Sequence, residues 1–195
     1  LFMPSNNAGM LLNADILGAD AVILDLEDAV SPAEKDAARI LVRNAIQTLH
    51  YQCEVCVRIN SIDTAFWKQD LDAILPLKPS LIMPPKISTA QDVLTVDAYM
   101  TELEDKLGME RNTVKLIPLI ETALGVENAF AIASSSPRVA DMLLGGEDLT
   151  ADLQCKRTKE GNEIFYSRSR IVVAARAAGI DCYGTPFTHV NDDEG

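Results

Sequence analysis

The chain has few of the residues that build soft-metal or redox sites. Its 195 residues include two histidines and four cysteines. Cys53 and Cys56 form a C-x-x-C, but a zinc site of that kind wants a second pair or added histidines, and Cys155 and Cys182 stand alone. His50 lies close to the pair, and the other histidine is His189. Strand alternation through "CEVCVRIN" instead reads both cysteines as small core or surface residues. No apolar run is long enough to span a bilayer, and no basic-then-apolar leader precedes residue 1. The expected compartment is the cytoplasm, with no membrane partner. The chain opens at Leu1 without a Met, already inside an apolar run, which leaves room for a preceding piece or a removed leader.

Positive charge is short as well. Lys and Arg number 17 against 29 Asp and Glu, a formal charge of −12, and the basic residues are dispersed. Phosphate neutralisation needs clustered Lys and Arg, which argues against a nucleic-acid partner. An acidic surface still admits an anionic substrate where a local site supplies cations. Low-complexity linkers and tandem repeats are lacking. With 48% apolar and 24% charged residues, a single globular domain over 1–195 is expected.

What is present is a repeated order of short apolar runs and helical sequence. "AVILDL" at 21–26 has the pattern of a strand buried on both faces. A helix should follow, with Ser31 and Glu34 at capping-box spacing, Pro32 at the first helical position, and Ala37, Leu41, Ala45 and Leu49 at helical intervals. The order returns with "VCVRI" at 55–59 and a helix over 64–75, then "LIMP" at 81–84 and a helix opened by Ser88 with Gln91 three residues on. "VKLIPLI" at 114–120 leads into a helix over 122–134. "ADMLLG" at 140–145 leads into helices at 149–153 and 164–178, and "DCYGTP" follows. With "LFMP" at 1–4 this makes seven strand candidates. Right-handed crossovers then give an α/β chain with a parallel sheet, and closure gives a (β/α)₈ barrel. The barrel is truncated here after about the seventh strand, the eighth being expected beyond Gly195. A doubly wound open sheet is the runner-up, without the G-x-G-x-x-G that dinucleotide binding would want after the first strand.

Active sites of such barrels form at the C-terminal strand ends. Those ends carry Asp25, Glu27 and Asp28, then Arg58 and Asn60, then Lys86, then Glu121, then Glu147 and Asp148 after Gly145-Gly146. Carboxylates converging on one mouth repel one another unless a cation sits between them, and all-oxygen ligation favours Mg²⁺ or Mn²⁺. Arg58 is the natural carboxylate clamp. Gly145 and Gly146 let backbone N–H groups come close to a ligand. The rival reading of any one of these charges is the solvated edge of a domain. Asp25 reads as structural, and Lys86 as either a solvated lysine or part of a coenzyme phosphate site. The Glu34-Lys35-Asp36 run reads as a solvated helix face, and Phe66 and Trp67 as helix packing.

"DLEDAV" at 25–30, "VRIN" at 57–60, "LIPLIETALGVENA" at 116–129, "PRVA" at 137–140 and "LLGGEDLTADL" at 143–153 together resemble the citrate lyase β-subunit-like group of the HpcH/HpaI aldolase and malyl-CoA lyase superfamily. The likeness runs from Leu1 to Gly195. It implies a (β/α)₈ barrel, usually a homotrimer, that cleaves or forms a carbon–carbon bond in a 3-hydroxyacyl-CoA with Mg²⁺. By that resemblance Glu121 and Asp148 are metal ligands, and Arg58 binds the carboxylate of a small oxo acid. Glu27 and Asp28 hold metal-bound water, and Gly145, Gly146 and Glu147 form the lip that contacts substrate. Asn6 and the first helix fall where family members meet coenzyme A, but the family's basic residues are absent from "PSNNAGM". Family members continue past a segment like Asp192-Asp193-Glu194-Gly195 into a last helix, a strand and a tail, which in several relatives carries a catalytic Asp to a neighbouring subunit.

The expected reaction is citryl-CoA cleavage to oxaloacetate and acetyl-CoA, alone or with other citrate lyase subunits. Citramalyl-CoA or malyl-CoA is the alternative within the class. Glu27, Asp28 or a tail residue is the candidate general base. A non-catalytic CoA- or oxo-acid-binding subunit and a CoA-independent aldolase are the readings from outside it.

Overall fold

A computed structural model describes residues 1–186. His189 and the Asp192-Asp193-Glu194-Gly195 segment lie outside the described residues. Five strands, β1 (Phe2–Pro4), β2 (Ala21–Asp25), β3 (Glu54–Arg58), β4 (Leu81–Met83) and β5 (Lys115–Leu116), lie side by side in chain order, all parallel. Three more, β6 (Leu119–Ile120), β7 (Asp141–Leu144) and β8 (Asp181–Tyr183), continue in the same way. The crossovers hold α1 (Ala8–Asn13), α2 (Lys35–Thr48), α3 (Trp67–Ile74), α4 (Ala90–Leu107), α5 (Ala123–Glu127), α6 (Ala129–Ala133), α7 (Gly146–Asp152) and α8 (Phe165–Ala178).

The single strand expected over 114–120 is broken into β5 and β6. Pro118 has no N–H to give to a ladder. Around the break, Ile117 N–H donates to the Ile82 carbonyl (3.0 Å) and Leu119 N–H to the Pro84 carbonyl (3.0 Å), while Leu143 N–H donates to the Pro118 carbonyl (3.1 Å). The two sheets are therefore one continuous parallel wall of seven staves, as the strand count predicted. Among the described residues β1 and β8 each have one paired neighbour.

Because side chains alternate across a strand, the wall has two apolar faces. Ile23, Cys56, Met83, Ile117, Leu119 and Leu143 cluster on the inside, with Phe2 and Leu81 packed against them. Val22, Leu24, Val57, Ile82, Leu116 and Leu144 belong to the outer core that the helices cover. Cys56 is an inner-wall residue whose thiol is pushed up by burial, and all four cysteines are free. The reading of the C-x-x-C as packing holds.

Some helix details differ from expectation. Ser31 does not cap, since its hydroxyl donates to Glu34 Oε2 (2.8 Å) in a 3-10 turn, Pro32–Glu34, and α2 starts at Lys35. The buried residues are Lys35, Ala38, Arg39, Val42 and Ala45, so of the expected stripe Ala45 is buried, Leu41 and Leu49 are partly buried and Ala37 is exposed. Thr89, rather than Ser88, opens α4, in a reciprocal capping box with Asp92. The helix over 122–134 is two short ones, divided at Asn128. Trp67 packs as expected, edge-on to Tyr99 at 5.2 Å. No helix among the described residues is long and apolar enough to cross a membrane.

One polar clamp crosses the outer core. Arg138 is fully buried, with Nε donating to Asp97 Oδ1 (2.7 Å), Nη1 to Glu104 Oε1 (2.8 Å) and Nη2 to Glu104 Oε2 (2.7 Å), which ties α4 to the segment entering β7. Burial works against the Asp97 charge, but hydrogen bonds from Ser136 and Arg138 outweigh it and hold the carboxyl below its ordinary value. Arg138→Met should lower unfolding free energy by about 3–5 kcal/mol at pH 7, because it leaves buried carboxylates unpaired. Asp97 titrates lower when folded, so its contribution is full above its unfolded value and is lost as pH falls through the folded one. Urea unfolding at pH 7 and in acid should show the gap between wild type and variant narrowing. An unchanged midpoint at pH 7 would contradict the clamp.

Candidate active site

The inner face of the wall delivers the charged residues. Two positions beyond Ile23, Cys56, Leu119 and Leu143, on the same face, stand Asp25, Arg58, Glu121 and Gly145. Register aligns Pro4 with Asp25, and Asp25 with Arg58. They open into a cavity of about 430 Å³ at the C-terminal ends of the strands, which Asp28, Gly146, Glu147 and Asp148 also line.

Asp25 and Arg58 form its floor. Arg58 Nε donates to Asp25 Oδ1 (2.7 Å) and Nη2 to Oδ2 (2.6 Å), while the guanidinium carbon lies 5.1 Å from the Phe2 ring centroid. Burial opposes the Arg58 charge and the hydrogen bonds and charge of Asp25 outweigh it, so the guanidinium stays ionised. The structural reading of Asp25 agrees with this geometry. The two Asp25 bonds use one edge of the fork, and the end-on edge formed by Nη1 and Nη2 is what Arg58 can offer a ligand.

Asp25 also shapes the acidic loop that follows β2. Its two oxygens accept from the Glu27 N–H (2.8 Å) and the Ala29 N–H (3.1 Å). Beneath the loop, Lys35 Nζ donates to the carbonyls of Leu26 (2.7 Å) and Glu27 (2.6 Å). Lys35 is only 7% exposed, so the expectation of a solvated charge run at Glu34-Lys35-Asp36 is corrected for this residue. Glu27 is buried and does not line the cavity. Desolvation pushes its carboxyl up, against the pull of Lys86 and Arg58. Its Oε2 lies 3.3 Å from Arg58 Nη1 without hydrogen-bond geometry, which leaves a buried oxygen without a hydrogen-bond partner among the described residues. Asp28 is half-exposed and faces the cavity.

Lys86 is the strand-end residue whose partners the sequence did not reveal. It sits in the left-handed region (φ 56°), which costs a side-chain-bearing residue of order 1 kcal/mol. The conformation aims its backbone N–H at Glu121 Oε1 (2.8 Å), while its ammonium reaches Glu27 Oε1 (2.6 Å), Asp28 Oδ1 (3.5 Å) and Asp148 Oδ2 (3.7 Å). Its side chain is partly exposed, and its ammonium is engaged with carboxylates rather than free in solvent. A proline pair followed by lysine at a strand end, "PPK", was the available signal.

Glu121 is buried to 3% exposure. Its carboxyl is pushed up to about 8, first by burial and then by the charge of Asp148, against the Lys86 N–H bond. Two carboxylates held together at a cavity in this way are under-neutralised, which is the condition a hard divalent cation relieves. Among the described residues no three His, Cys, Asp or Glu side chains group as a metal cage. The donor set is two carboxylates, which fits Mg²⁺, an ion that keeps several waters, and does not fit zinc.

The whole chain, residues 1–195, matches the family HpcH/HpaI aldolase/citrate lyase. The chain belongs to that family. It is 44% identical to citrate lyase subunit beta of Leuconostoc mesenteroides subsp. cremoris over 196 residues, covering all of this chain and 65% of the relative, so it spans just under two thirds of that protein. Identity to L-malyl-CoA/beta-methylmalyl-CoA lyase of Cereibacter sphaeroides is 34%, over all of this chain and 68% of the relative. A solved citrate lyase beta subunit from M. tuberculosis, complexed with oxaloacetate and magnesium, superposes with a TM-score of 0.82 at 31% identity, covering all of this chain and 81% of that one. The HpcH/HpaI resemblance drawn from the motifs is thus borne out.

In this HpcH/HpaI barrel the glycine pair has a steric reason. A Cβ on Gly145 would lie 2.6 Å from Glu121 Oε2 and 2.9 Å from Glu121 Cβ, and one on Gly146 would lie 2.5 Å from Thr185 Oγ1, which accepts the Gly146 N–H at 2.9 Å. Thr185 and Phe2 are cavity residues that the strand-end pattern did not single out. Gly145→Ala should displace the Glu121 side chain and destabilise the protein by about 1–3 kcal/mol, the usual cost of overpacking. Thermal unfolding and a crystal structure of the variant check this. Glu121 unmoved, with unchanged stability, would contradict the contact.

Proposed function

We propose that this chain forms the barrel of a Mg²⁺-dependent carbon–carbon lyase that cleaves a 3-hydroxyacyl-CoA, with citryl-CoA giving oxaloacetate and acetyl-CoA. The observation that carries this reading is the convergence of Glu121, Asp148 and Arg58 on one cavity at the strand ends. The likeness to citrate lyase beta subunits, one of them solved with oxaloacetate and magnesium, supports the substrate class.

Cleavage removes the proton of the tertiary hydroxyl and breaks the bond between the carbinol carbon and the carbon next to the thioester. The carbinol becomes the ketone of oxaloacetate. The released electron pair forms the thioester enolate, and protonation at carbon gives acetyl-CoA. Mg²⁺ or Mn²⁺, held by Glu121 and Asp148, would supply Lewis acidity at the hydroxyl and its neighbouring carboxylate. Arg58, fixed by Asp25, turns its end-on edge to the oxo-acid carboxylate and stabilises negative charge there. Asp28 faces the cavity and is the described carboxylate best placed to take the hydroxyl proton. Glu27, behind it, anchors the Lys86 ammonium and would hold metal-bound water. Gly145, Gly146 and Glu147 form the lip over the substrate.

The likeness to L-malyl-CoA/beta-methylmalyl-CoA lyase favours malyl-CoA or citramalyl-CoA as the second reading, with glyoxylate or pyruvate as the oxo acid. In either case the assembly we assign is a cytoplasmic homotrimer, alone or with other citrate lyase subunits.

Assay of the full-length protein with citryl-CoA, citramalyl-CoA and malyl-CoA, with and without Mg²⁺, separates these readings. Citryl-CoA should be cleaved fastest and a chelator should abolish turnover. Glu121→Gln and Arg58→Met should each lower kcat/KM by about 10²–10³-fold, the usual cost of removing one stabiliser of developing charge. Metal-independent turnover or an active Glu121→Gln would contradict the assignment. Thioester binding without any turnover would identify a binding subunit instead.

A further inference from the structure

Both proposed metal ligands touch the same lysine. The Lys86 backbone N–H donates to Glu121, and its ammonium lies 3.7 Å from Asp148 Oδ2. The ammonium is anchored elsewhere, by the 2.6 Å bond to Glu27 Oε1, with Asp28 3.5 Å away. It therefore stands among the carboxylates that a divalent ion would neutralise.

We propose that Lys86 is a tethered counter-cation that competes with the divalent metal for Asp148 and so sets how tightly the site holds metal; this rests on Glu121 and Asp148 being the ligands. Two positive charges cannot share Asp148 at close range without repulsion. Metal entry pushes the ammonium off Asp148, and the short bond to Glu27 keeps it in the mouth. In the metal-free protein it neutralises the crowded carboxylates in place of the metal. Lys86 is thus a positioning residue, acting on the metal through the carboxylates. Its backbone and its side chain have separable duties, because any residue but proline at position 86 keeps the N–H that orients Glu121.

Lys86→Met removes the charge and keeps that N–H. Mn²⁺ binding to the full-length protein, followed by titration calorimetry and by electron paramagnetic resonance of free Mn²⁺, should tighten at least about tenfold in this variant, a discounted share of the Coulomb interaction at about 4 Å. Lys86→Arg, which keeps a cation there, should bind close to wild type. Merely structural damage would weaken binding, so a gain is diagnostic. Equal or weaker binding in Lys86→Met, or equal tightening in Lys86→Arg, overturns the proposal. Glu121→Gln keeps the two readings apart. If wild type binds Mn²⁺ and Glu121→Gln does not, the ligand assignment survives whatever Lys86→Met does. If neither wild type nor Lys86→Met binds Mn²⁺, the ligand assignment falls and this proposal falls with it.

Discussion

The fork between Asp25 and Arg58 is the interaction on which the mouth of the barrel is built. It joins β2 to β3 at the strand ends, and the same carboxylate accepts two backbone N–H groups that curl the Glu27-Asp28 loop over the cavity. Taking two ions out of water costs more than a simple contact count suggests, so a buried pair of this kind is weak support for stability. Its value is positional. It fixes which edge of Arg58 remains free and where Glu27 and Asp28 start.

Glu121 is arranged by backbone features rather than by a side-chain ion pair. The break at Pro118 lets Leu119 donate to the Pro84 carbonyl and accept from the Ile87 N–H (3.3 Å), which sets the end of β6 beside the turn after β4. Lys86 then reaches Glu121 through its left-handed backbone, and Gly145 leaves the space that Glu121 fills. The chain thus spends local strain and glycine freedom to hold one buried acid, Glu121, at the cavity that Asp148 also lines. Such a site favours charge that arrives with a ligand, the condition for electrostatic catalysis.

Much of this was legible in the sequence. Short continuous apolar runs ending in charge and separated by helical sequence pointed to the parallel wall, and the set of strand-end charges marked the cavity. Directions were less legible. Glu27 and Asp28 are neighbours, yet only Asp28 lines the cavity, and adjacent position could not tell them apart. Lys35 is buried where a solvated face was expected, because its ammonium turns back to the Leu26 and Glu27 carbonyls of the preceding loop. Lys86 was ambiguous because its role depends on a backbone φ and on three carboxylates brought from other elements. Pro118 was visible in "LIPLI", but its effect depends on neighbouring staves that share the hydrogen bonds on either side.

The central claim is that Glu121 and Asp148 together hold a divalent cation at the mouth. Anomalous diffraction from crystals of the full-length protein grown with Mn²⁺ tests it most directly. The account predicts one strong peak at the Glu121 and Asp148 carboxylates, with the Lys86 ammonium still on Glu27 and withdrawn from Asp148. A peak elsewhere in the cavity, or none at saturating Mn²⁺, would contradict it.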